Sequence, residues 1–433
     1  MNDIQPTTQM NPPVTTVPVE SKLELLKSSI LSSNVPQMVL YTISYALELR
    51  SSDIHIEPLE NTVRVRYRID GVLQQVVEYP PNMHAAVISR IKIMSNLKID
   101  EQRIPQDGRT NVTTKDGKEM DLRVSTVPTV NGEKVVMRIQ DKSRQIPTLD
   151  QLGIRGNSLK FLQKALKMPN GIILTSGPTG SGKTTTLYSC LTMLNKPGVN
   201  ILTIEDPVEI QMDGLNQSQV KPDIGYDFAT GLRASLRQDP DIMMVGEIRD
   251  HETINVAIEC SLTGHLVLST IHTNSAVETL TRIINMGVPA YLIASTIDTI
   301  IAQRLVRVLC PSCKQAYEPE PELKSTALKA IAAIPDNEKI NYPEINFAAP
   351  TFYKPVGCQA CGGIGYKGRI GVYEIMPFTV GLKNAVLEGA NTLKIQAQAL
   401  QEGMISLEQA GVIRSLSGET SLEEVYRIAN VNM

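Results

Sequence analysis

One short stretch of the sequence combines the residue types needed to hold a phosphorylated substrate. GPTGSGKT, Gly177 to Thr184, has the spacing G-x-x-x-x-G-K-[ST] and lies between the apolar run GIILTS and a helical pattern beginning near Lys183. The glycines let backbone amides turn toward phosphate oxygens, the lysine reaches the β- and γ-phosphates, and the last threonine can ligate Mg²⁺. A chance glycine-rich turn is the alternative, and the flanking strand and helix patterns disfavour it. The residues expected to bind nucleotide are Gly177, Pro178, Thr179, Gly180, Ser181, Gly182, Lys183, Thr184 and Thr185.

Carboxylates close two further apolar runs. NILTIED ends on Glu205 and Asp206, and DIMMVGE ends on Glu247, where many strands of nucleotide-binding domains close on an aspartate. Ligands of parallel sheets bind at the carboxyl ends of the strands, so Glu205 is placed to orient and deprotonate an attacking water. Read alone, the same segment also fits a solvated helix cap before Pro207.

The run TGHLVLSTIHTN carries a histidine at each end of a predicted strand, His265 and His272. An imidazole there can donate a hydrogen bond to a γ-phosphate and respond to its loss, so both are candidate site residues. A single histidine is also often purely structural, and the sequence leaves that alternative open.

Four cysteines form two C-x-x-C pairs, Cys310 with Cys313 and Cys358 with Cys361. Two such pairs can place four thiolates tetrahedrally around Zn²⁺, with no open position for catalysis, so a structural site is expected. Residues 314–357 exceed the spacer of a simple zinc ribbon, so joint ligation is inferred, and four unrelated buried thiols are the alternative. Cys190 and Cys260 lie in helix-like surroundings and are expected in the core.

The elements that must position these groups begin with a segment, residues 1–20, whose Pro, Thr and Asn content is typical of a disordered tail. From Ser21 to Arg50 the spacing predicts a helix, followed by a hairpin around Asp70 and Gly71 and two further strands in a small α+β domain, residues 21–141. Residues 142–154 are predicted to be a linker. Residues 155–433 alternate short apolar strands with helices, which predicts a parallel sheet covered on both faces. Beyond Arg304 this alternation gives way to the cysteine region, residues 305–375, and the chain is mostly helical from about Leu382 within residues 376–433.

Charge and hydropathy exclude several classes of protein. The 42 Lys and Arg against 45 Asp and Glu leave a net charge of −3, so no global basic field favours nucleic acid or lipid. No run reaches the roughly 18 apolar residues of a membrane span, and the polar start lacks the core of a signal peptide. A cytoplasmic protein is expected.

The motifs GPTGSGKTTTLY, TIEDPVE and LRQDPDIMMVGEIRDHETINVAIECSLTGHLVLSTIHTN occur in an order that resembles the ATPases of type II secretion and type IV pilus assembly. SSDIHIEP, YRIDGVL, RIPQDGR and DLRVSTVPT extend the resemblance over residues 35–430. It implies an α/β fold, a RecA-like P-loop motor domain preceded by a small PAS-like α+β domain, with a zinc-binding module and C-terminal helices. ATP, Mg²⁺ and Zn²⁺ are the implied cofactors. The resemblance also implies that Glu247, in place of the usual aspartate, holds Mg²⁺ through a water molecule, and that Glu205 is the general base.

The same resemblance implies that arginines of the first domain reach a nucleotide on a neighbouring or facing motor domain. Arg109 and Arg123 are the candidates, because a guanidinium offers a permanently charged fork to phosphate oxygens. Either can equally be a surface ion-pair partner. Arg103, Arg233 and Arg237 are weaker candidates.

The resemblance implies a homohexamer that lies at the periphery of the inner membrane and pushes on a polytopic platform protein. An additional inner-membrane assembly protein is a further implied partner, and no direct contact with nucleic acid is expected. Retraction ATPases generally lack the four cysteines, which favours the assembly or secretion branch. The long N-terminal domains that many relatives use for docking are not seen in this sequence. A nucleotide-regulated scaffold and a DNA-translocating motor of related fold are the alternatives, and the intact Lys183, Glu205 and Glu247 and the missing basic stripe argue against them.

Overall fold

A computed structural model describes residues 21–113, 119–141 and 145–429. The chain divides into two compact units, Met1–Ser143 and Arg144–Met433. The predicted tail, residues 1–20, and the first residues of the predicted linker, 142–144, lie outside the described residues. Among the described residues, no helix has both the length and the apolar character needed to cross a bilayer.

The first unit is built on an antiparallel sheet whose strand order, within the described residues, is β3-β2-β1-β6-β5-β4. Its helices are α1 (Lys22–Leu31), α2 (Val35–Glu48) and α3 (His84–Met94), and its strands are β1 (Asp53–Pro58), β2 (Val63–Ile69), β3 (Val72–Tyr79), β4 (Gln106–Thr113), β5 (Glu119–Thr129) and β6 (Gly132–Asp141).

Strict alternation along β2 shows how the sequence forms this unit. Val63, Val65 and Tyr67 are buried in the core, and Tyr67 donates a hydrogen bond to the carbonyl of Thr42 on α2 at 2.7 Å. The arginines between them lie on the opposite face. One face of the sheet therefore packs against the helices, as period-two patterning predicts. The PAS-like fold itself stays a prediction.

The single helix predicted for residues 21–50 is wrong. Ser33 adopts a positive φ of 53°, and the side chain of Asn34 then caps a new helix by accepting from the N–H of Gln37 at 3.3 Å. Pro36 occupies the first turn of α2, where a missing N–H costs little. The apolar periodicity continues across this break because both helices face the same core. The apolar patterning does not indicate α3 or the polar strand β4.

The second unit contains the remaining elements. Its strands are β7 (Gly171–Ser176), β8 (Ile201–Glu205), β9 (Asn216–Gln219), β10 (Ile242–Val245), β11 (Leu266–Ile271), β12 (Ile297–Leu309), β13 (Gln315–Tyr317), β14 (Phe352–Lys354) and β15 (Tyr366–Pro377). Its helices are α4 (Gly156–Ala165), α5 (Lys183–Leu194), α6 (Phe228–Ser235), α7 (His251–Leu262), α8 (Ala276–Asn285), α9 (Ala290–Thr296), α10 (Pro321–Ala332), α11 (Asp336–Lys339), α12 (Val380–Leu387), α13 (Thr392–Gln401), α14 (Leu407–Leu416) and α15 (Leu422–Ala429).

The large sheet has the strand order β15-β12-β7-β11-β10-β8-β9, and its pairs are parallel except β12 with β15. Successive residues of β7 point to opposite faces, with Ile172 and Leu174 in one apolar core and Ile173 in another. Helices cover both faces, which confirms the predicted α/β architecture. The parallel pairing brings the carboxyl ends of β7, β11, β10 and β8 to one edge.

β12 and β15 also belong to this sheet, which the spacing of apolar residues does not indicate. β12 pairs with the P-loop strand β7 on one side and with β15 on the other. Residues 310–365 are thus inserted between two paired strands. Both strands join the apolar cores. Ala302 of β12 and Met376 of β15 pack in one cluster, and Ile301 of β12 and Ile375 of β15 pack in the other.

Candidate nucleotide site and metal centre

Four of the predicted site residues meet at the carboxyl edge of the large sheet. The P-loop, residues 177–184, follows β7, and His272 follows β11, which pairs with β7 through Ile271 and Ser176. Glu247 follows β10, and Glu205 ends β8 in the next position along the sheet, where Val245 pairs with Ile204. Strand pairing therefore assembles groups that are distant in the sequence.

The P-loop wraps closely around the start of α5. Gly177 has φ +148°, and a Cβ there would lie 2.5 Å from Ser181 Oγ and 2.6 Å from the carbonyl oxygen of Gln303, so only glycine fits. Gln303 on β12 donates through Nε2 to the carbonyl of Ser181 at 2.6 Å. Thr184 is exposed at the first turn of α5 and Thr185 is half-buried. The loop presents a helix N-terminus of the kind that binds phosphate.

The ammonium of Lys183 is folded onto its own loop. Its Nζ donates to the carbonyl of Gly177 at 2.8 Å and to that of Pro178 at 3.2 Å, and the residue is buried. Burial lowers the pKa of Lys183 to about 8, with a further lowering by Arg304 and an opposing effect of Glu247. An anionic phosphate would stabilise the protonated lysine and offset the cost of burying its charge. The ammonium can therefore exchange the loop carbonyls for phosphate oxygens.

Glu205 is buried and surrounded by neutral hydrogen-bond donors. Thr203 Oγ1 donates to Oε1 at 2.6 Å, Gln217 Nε2 donates to the same oxygen at 3.1 Å, and the Tyr188 hydroxyl donates to Oε2. Burial raises the pKa of Glu205, and these donors act against that rise without cancelling it. A carboxyl with a raised pKa is suited to accept a proton, which agrees with the chemistry predicted for this residue.

Glu247 has a different setting. Arg249 donates to Oε1, and His272 Nε2 lies 3.3 Å from Oε2. Burial opposes ionisation of Glu247, but the hydrogen bond from Arg249 and the charges of nearby cations outweigh it, so the pKa of this carboxyl lies below its usual range. An ionised carboxylate beside the P-loop fits a metal-holding role better than a proton-accepting one.

His265 requires a correction. β11 runs parallel to β7, and His265 precedes β11 at its amino end, where its carbonyl accepts from the N–H of Gly171 at 3.3 Å. Its Nδ1 lies 2.8 Å from the carbonyl of Cys260. The strand separates it from His272 by roughly 20 Å. Within the chain, His265 is not brought to the P-loop edge and has the local contacts of a structural histidine.

The candidate arginines of the first unit lie on the face of its sheet opposite the core. Arg109 on β4 is paired in register with Arg123 on β5, and Arg123 with Arg138 on β6. Arg109 is exposed and Arg123 is half-buried. The weaker candidates have local partners: Arg103 pairs with Glu101 at 2.9 Å, Arg233 with Glu252 at 2.8 Å, and Arg237 donates to the carbonyl of Arg233 at 3.0 Å.

The four cysteines of residues 310–361 come together. Their sulfur atoms all lie within 4.8 Å of one another, with distances of 3.9 Å for Cys310 to Cys358, 3.9 Å for Cys313 to Cys361 and 3.8 Å for Cys358 to Cys361. A tetrahedral Zn²⁺ site with Zn–S bonds of about 2.3 Å needs sulfurs about 3.8 Å apart. The sulfurs therefore fit zinc, and the alternative of four unrelated thiols is excluded.

Backbone groups favour the thiolate form of Cys361. The N–H groups of Cys358 and Gly365 each donate to Cys361 Sγ at 3.2 Å. Although burial acts in the opposite direction, these donors lower the pKa of Cys361 to about 6. The N–H of Cys310 donates to the carbonyl of Gly365 at 2.9 Å and so joins the two cysteine pairs.

Sequence reasoning missed the residues that support the site. Tyr188 and Gln217 donate hydrogen bonds to Glu205, and Gln303 donates one to the P-loop. Arg304 donates to the carbonyl of Asn274 at 2.9 Å, two residues after His272. Tyr188 follows Thr184 by one helical turn, and this spacing was the one signal available in the sequence. The other contacts depend on which strands are neighbours.

A parallel sheet with a P-loop after one strand and acidic residues at the same edge, after β10 and at the end of β8, defines a P-loop ATPase with a RecA-like motor unit. The profile of the family described as Type II/IV secretion system protein matches residues 31–427. The chain is 46% identical over 391 residues to the type IV pilus assembly ATPase PilB of Myxococcus xanthus, covering 90% of this chain and 67% of that protein. It is 47% identical over 408 residues to type II secretion system protein E of Xanthomonas campestris pv. campestris, covering 94% of this chain and 69% of the relative.

A solved structure of the pilus retraction motor PilT with bound ADP is similar to this chain, with a TM-score of 0.56 and 25% identity over 89% of this chain and 95% of that one. The chain spans about two thirds of the length of the two curated relatives. The protein belongs to the type II/IV secretion system protein family, whose members named here include ATPases of pilus assembly.

Proposed function

We propose that the protein is a hexameric ATPase that powers assembly of a type IV pilus or a type II secretion pseudopilus from the cytoplasmic face of the inner membrane. ATP hydrolysis would drive domain motion against a polytopic inner-membrane platform protein, with an additional inner-membrane assembly protein as a further partner. The meeting of Lys183, Glu205, Glu247 and His272 at one sheet edge is the observation that carries the enzymatic part. The names of the relatives support the biological part.

In the proposed reaction, the P-loop amides and Lys183 hold the β- and γ-phosphates, and Glu205 accepts a proton from water. The water oxygen forms a bond to the γ-phosphorus, while the bond to the β–γ bridging oxygen breaks and its electrons leave with ADP. Thr184 and Glu247 would hold Mg²⁺, which when bound would neutralise negative charge on the phosphates. His272, whose Nε2 lies 3.3 Å from Glu247 Oε2, is proposed to change its hydrogen-bond partner from Glu247 to the γ-phosphate when ATP binds.

Arg109 and Arg123 are proposed to complete the site of a neighbouring subunit. Their position in a separate unit, on the face of its sheet opposite the apolar core, supports a role in trans. An arginine supplied in trans is worth roughly 10³-fold or more in other phosphoryl-transfer systems. Turnover per chain should therefore rise with protein concentration.

The test of this arrangement mixes two inactive variants, Arg123→Ala and Glu205→Gln. In a mixed ring, some sites combine an intact arginine with an intact base, so steady-state phosphate release should recover. Arg103→Ala is the matched control, since that exposed arginine pairs with Glu101 in its own chain, and its turnover should remain normal. Ring formation without recovery would remove Arg123 from the catalytic sites.

The four cysteines are proposed to bind a structural Zn²⁺. The sulfur spacing supports this, and zinc bound by four thiolates contributes folding free energy locally. Metal analysis by mass spectrometry should find one zinc per chain in the wild type and none in Cys358→Ser. Cys190→Ser, which changes a buried cysteine outside the cluster, should retain zinc. A fully folded, metal-free wild-type protein would exclude the site.

A further inference from the structure

The hydroxyl of Tyr188 joins the helix of the P-loop to the carboxyl of Glu205. Tyr188 lies on α5 and is 1% exposed. Its oxygen accepts from the backbone N–H of Glu209 at 3.2 Å and of Ile210 at 3.5 Å, and its proton is donated to Glu205 Oε2. Because the two N–H groups can only donate, the single hydroxyl proton is directed toward the carboxyl.

Gln217 is fixed in the same way from the edge strand β9. Its Oε1 accepts from the N–H of Met212 at 2.7 Å, which leaves Nε2 to donate to the carbonyl of Ile210 at 3.0 Å and to Glu205 Oε1 at 3.1 Å. The backbone partners therefore determine which end of the amide faces Glu205. Neither Tyr188 nor Gln217 can turn its donor away without losing a bond to the loop that follows Glu205.

We infer that Tyr188 and Gln217 are positioning residues for the general base, holding the carboxylate of Glu205 ionised and oriented in a buried site. This inference rests on the role proposed above for Glu205. Both residues bond to the loop of residues 206–212 as well as to the carboxyl, so the same two side chains act on the geometry of this loop and on the proton affinity of the base. The two residues contact the base and act on the reaction only through it.

The direction of the effect follows from the charges around Glu205. Burial raises its pKa, and Glu209 in the following loop raises it further, whereas the donors from α5, β8 and β9 lower it. Glu247, after the adjacent strand, is engaged by Arg249 and His272. Removing a donor that favours the carboxylate must raise the pKa of Glu205. The ionised, proton-accepting form of Glu205 is then present only at higher pH, so the acid limb of the kcat profile shifts to higher pH.

The experiment compares pH profiles of kcat for ATP hydrolysis in the wild type, Tyr188→Phe and Gln217→Met. A hydrogen bond to a charged group corresponds to about one to two pH units, so each variant should move the acid limb upward by about that amount. KM for ATP should stay unchanged, because neither residue is part of the P-loop. Tyr373→Phe is the matched control: it removes a buried hydroxyl 3.5 Å from Thr186 on the same helix, and it should leave the limb in place.

Circular dichroism at each pH keeps the readout separate from folding. Partial unfolding lowers the amount of active enzyme but does not shift the acid limb of the molecules that remain folded. If Tyr188→Phe does not fold, the pH profile of Gln217→Met decides the test. An acid limb that coincides with the wild type in the folded variants would overturn the inference. If the acid limb is unshifted and Glu205→Gln is inactive, only the positioning role of Tyr188 and Gln217 fails. If Glu205→Gln keeps full turnover, Glu205 is not the base, and both the proposed mechanism and this inference fail.

Discussion

Two carboxylates on adjacent strands of the large sheet have opposite surroundings. Glu205, at the end of β8, is buried among neutral donors, and its pKa is raised. Glu247, after β10, is engaged by an arginine and a histidine, and its pKa is lowered. Neighbouring acids with pKa values pushed in opposite directions divide the work between proton transfer and charge binding. Burial raises the pKa of both carboxyls; neutral donors leave that rise in place at Glu205, whereas the cations around Glu247 reverse it, so the surroundings assign the role.

The largest effect should come from removing the proton acceptor. Glu205→Gln keeps the size of the side chain but replaces one acceptor oxygen by an NH2 group and cannot take a proton from water, so turnover should fall by about 10²-fold to 10⁴-fold. Steady-state phosphate release measures the loss, and binding of a fluorescent ATP analogue should be retained. Asp213→Asn changes an exposed carboxylate in the loop that follows β8 and should have normal turnover. Wild-type turnover in Glu205→Gln would break the division of roles.

The second carboxylate should affect the metal requirement. Glu247→Gln removes an ionised group from beside the P-loop, and the Mg²⁺ concentration at half-maximal turnover should rise by roughly 10-fold to 100-fold, as it does when groups that support a metal are lost elsewhere. Titration of Mg²⁺ at fixed ATP measures this shift. The residual activity of Glu205→Gln should show the wild-type Mg²⁺ requirement, and equal shifts in both variants would contradict the assignment.

A smaller effect is expected when a single donor to Glu205 is removed. Thr203→Val keeps the shape of a fully buried side chain but leaves Oε1 with one donor fewer, so the free energy of unfolding should fall by about 1.5–3 kcal/mol. The chain contains no tryptophan, so circular dichroism in urea is the suitable measurement. An unchanged unfolding curve would mean that water replaces the threonine hydroxyl.

The smallest effect should come from the cation beside Glu247. The side chain of Arg249 is 64% exposed, so solvent screens its ion pair, and Arg249→Gln should change the free energy of unfolding by less than about 1 kcal/mol. The same urea titration checks this value. A loss as large as that of Thr203→Val would show that the cationic setting of Glu247 stabilises the fold as strongly as the neutral setting of Glu205.

Local spacing carried most of what the sequence predicted correctly. The P-loop needs residues 177–184 alone, and each cysteine pair is readable within four residues. The strands after which Glu205, Glu247 and His272 lie were also visible as short apolar runs. These features are encoded by consecutive residues, so no knowledge of strand order is required.

The contacts that were not predicted depend on pairing between distant segments. His265 and His272 look equivalent at the two ends of one strand, and only the parallel alignment of β11 with β7 decides which of them meets the P-loop. Gln217 reaches Glu205 because β9 adds to the edge of the sheet beside β8. The break at Ser33 depends on a single positive φ, which the apolar periodicity of residues 21–50 does not indicate.

The late position of β12 in the chain sets the order in which a newly made protein can mature. The strand that carries the P-loop has β12 as a neighbour, and Gln303 of β12 braces the loop itself. β12 is in turn completed by β15, which is synthesised only after residues 310–365 with their four cysteines. During translation the P-loop leaves the ribosome long before its supporting strand. A nascent chain therefore cannot form the finished nucleotide site until the cysteine segment and β15 have followed.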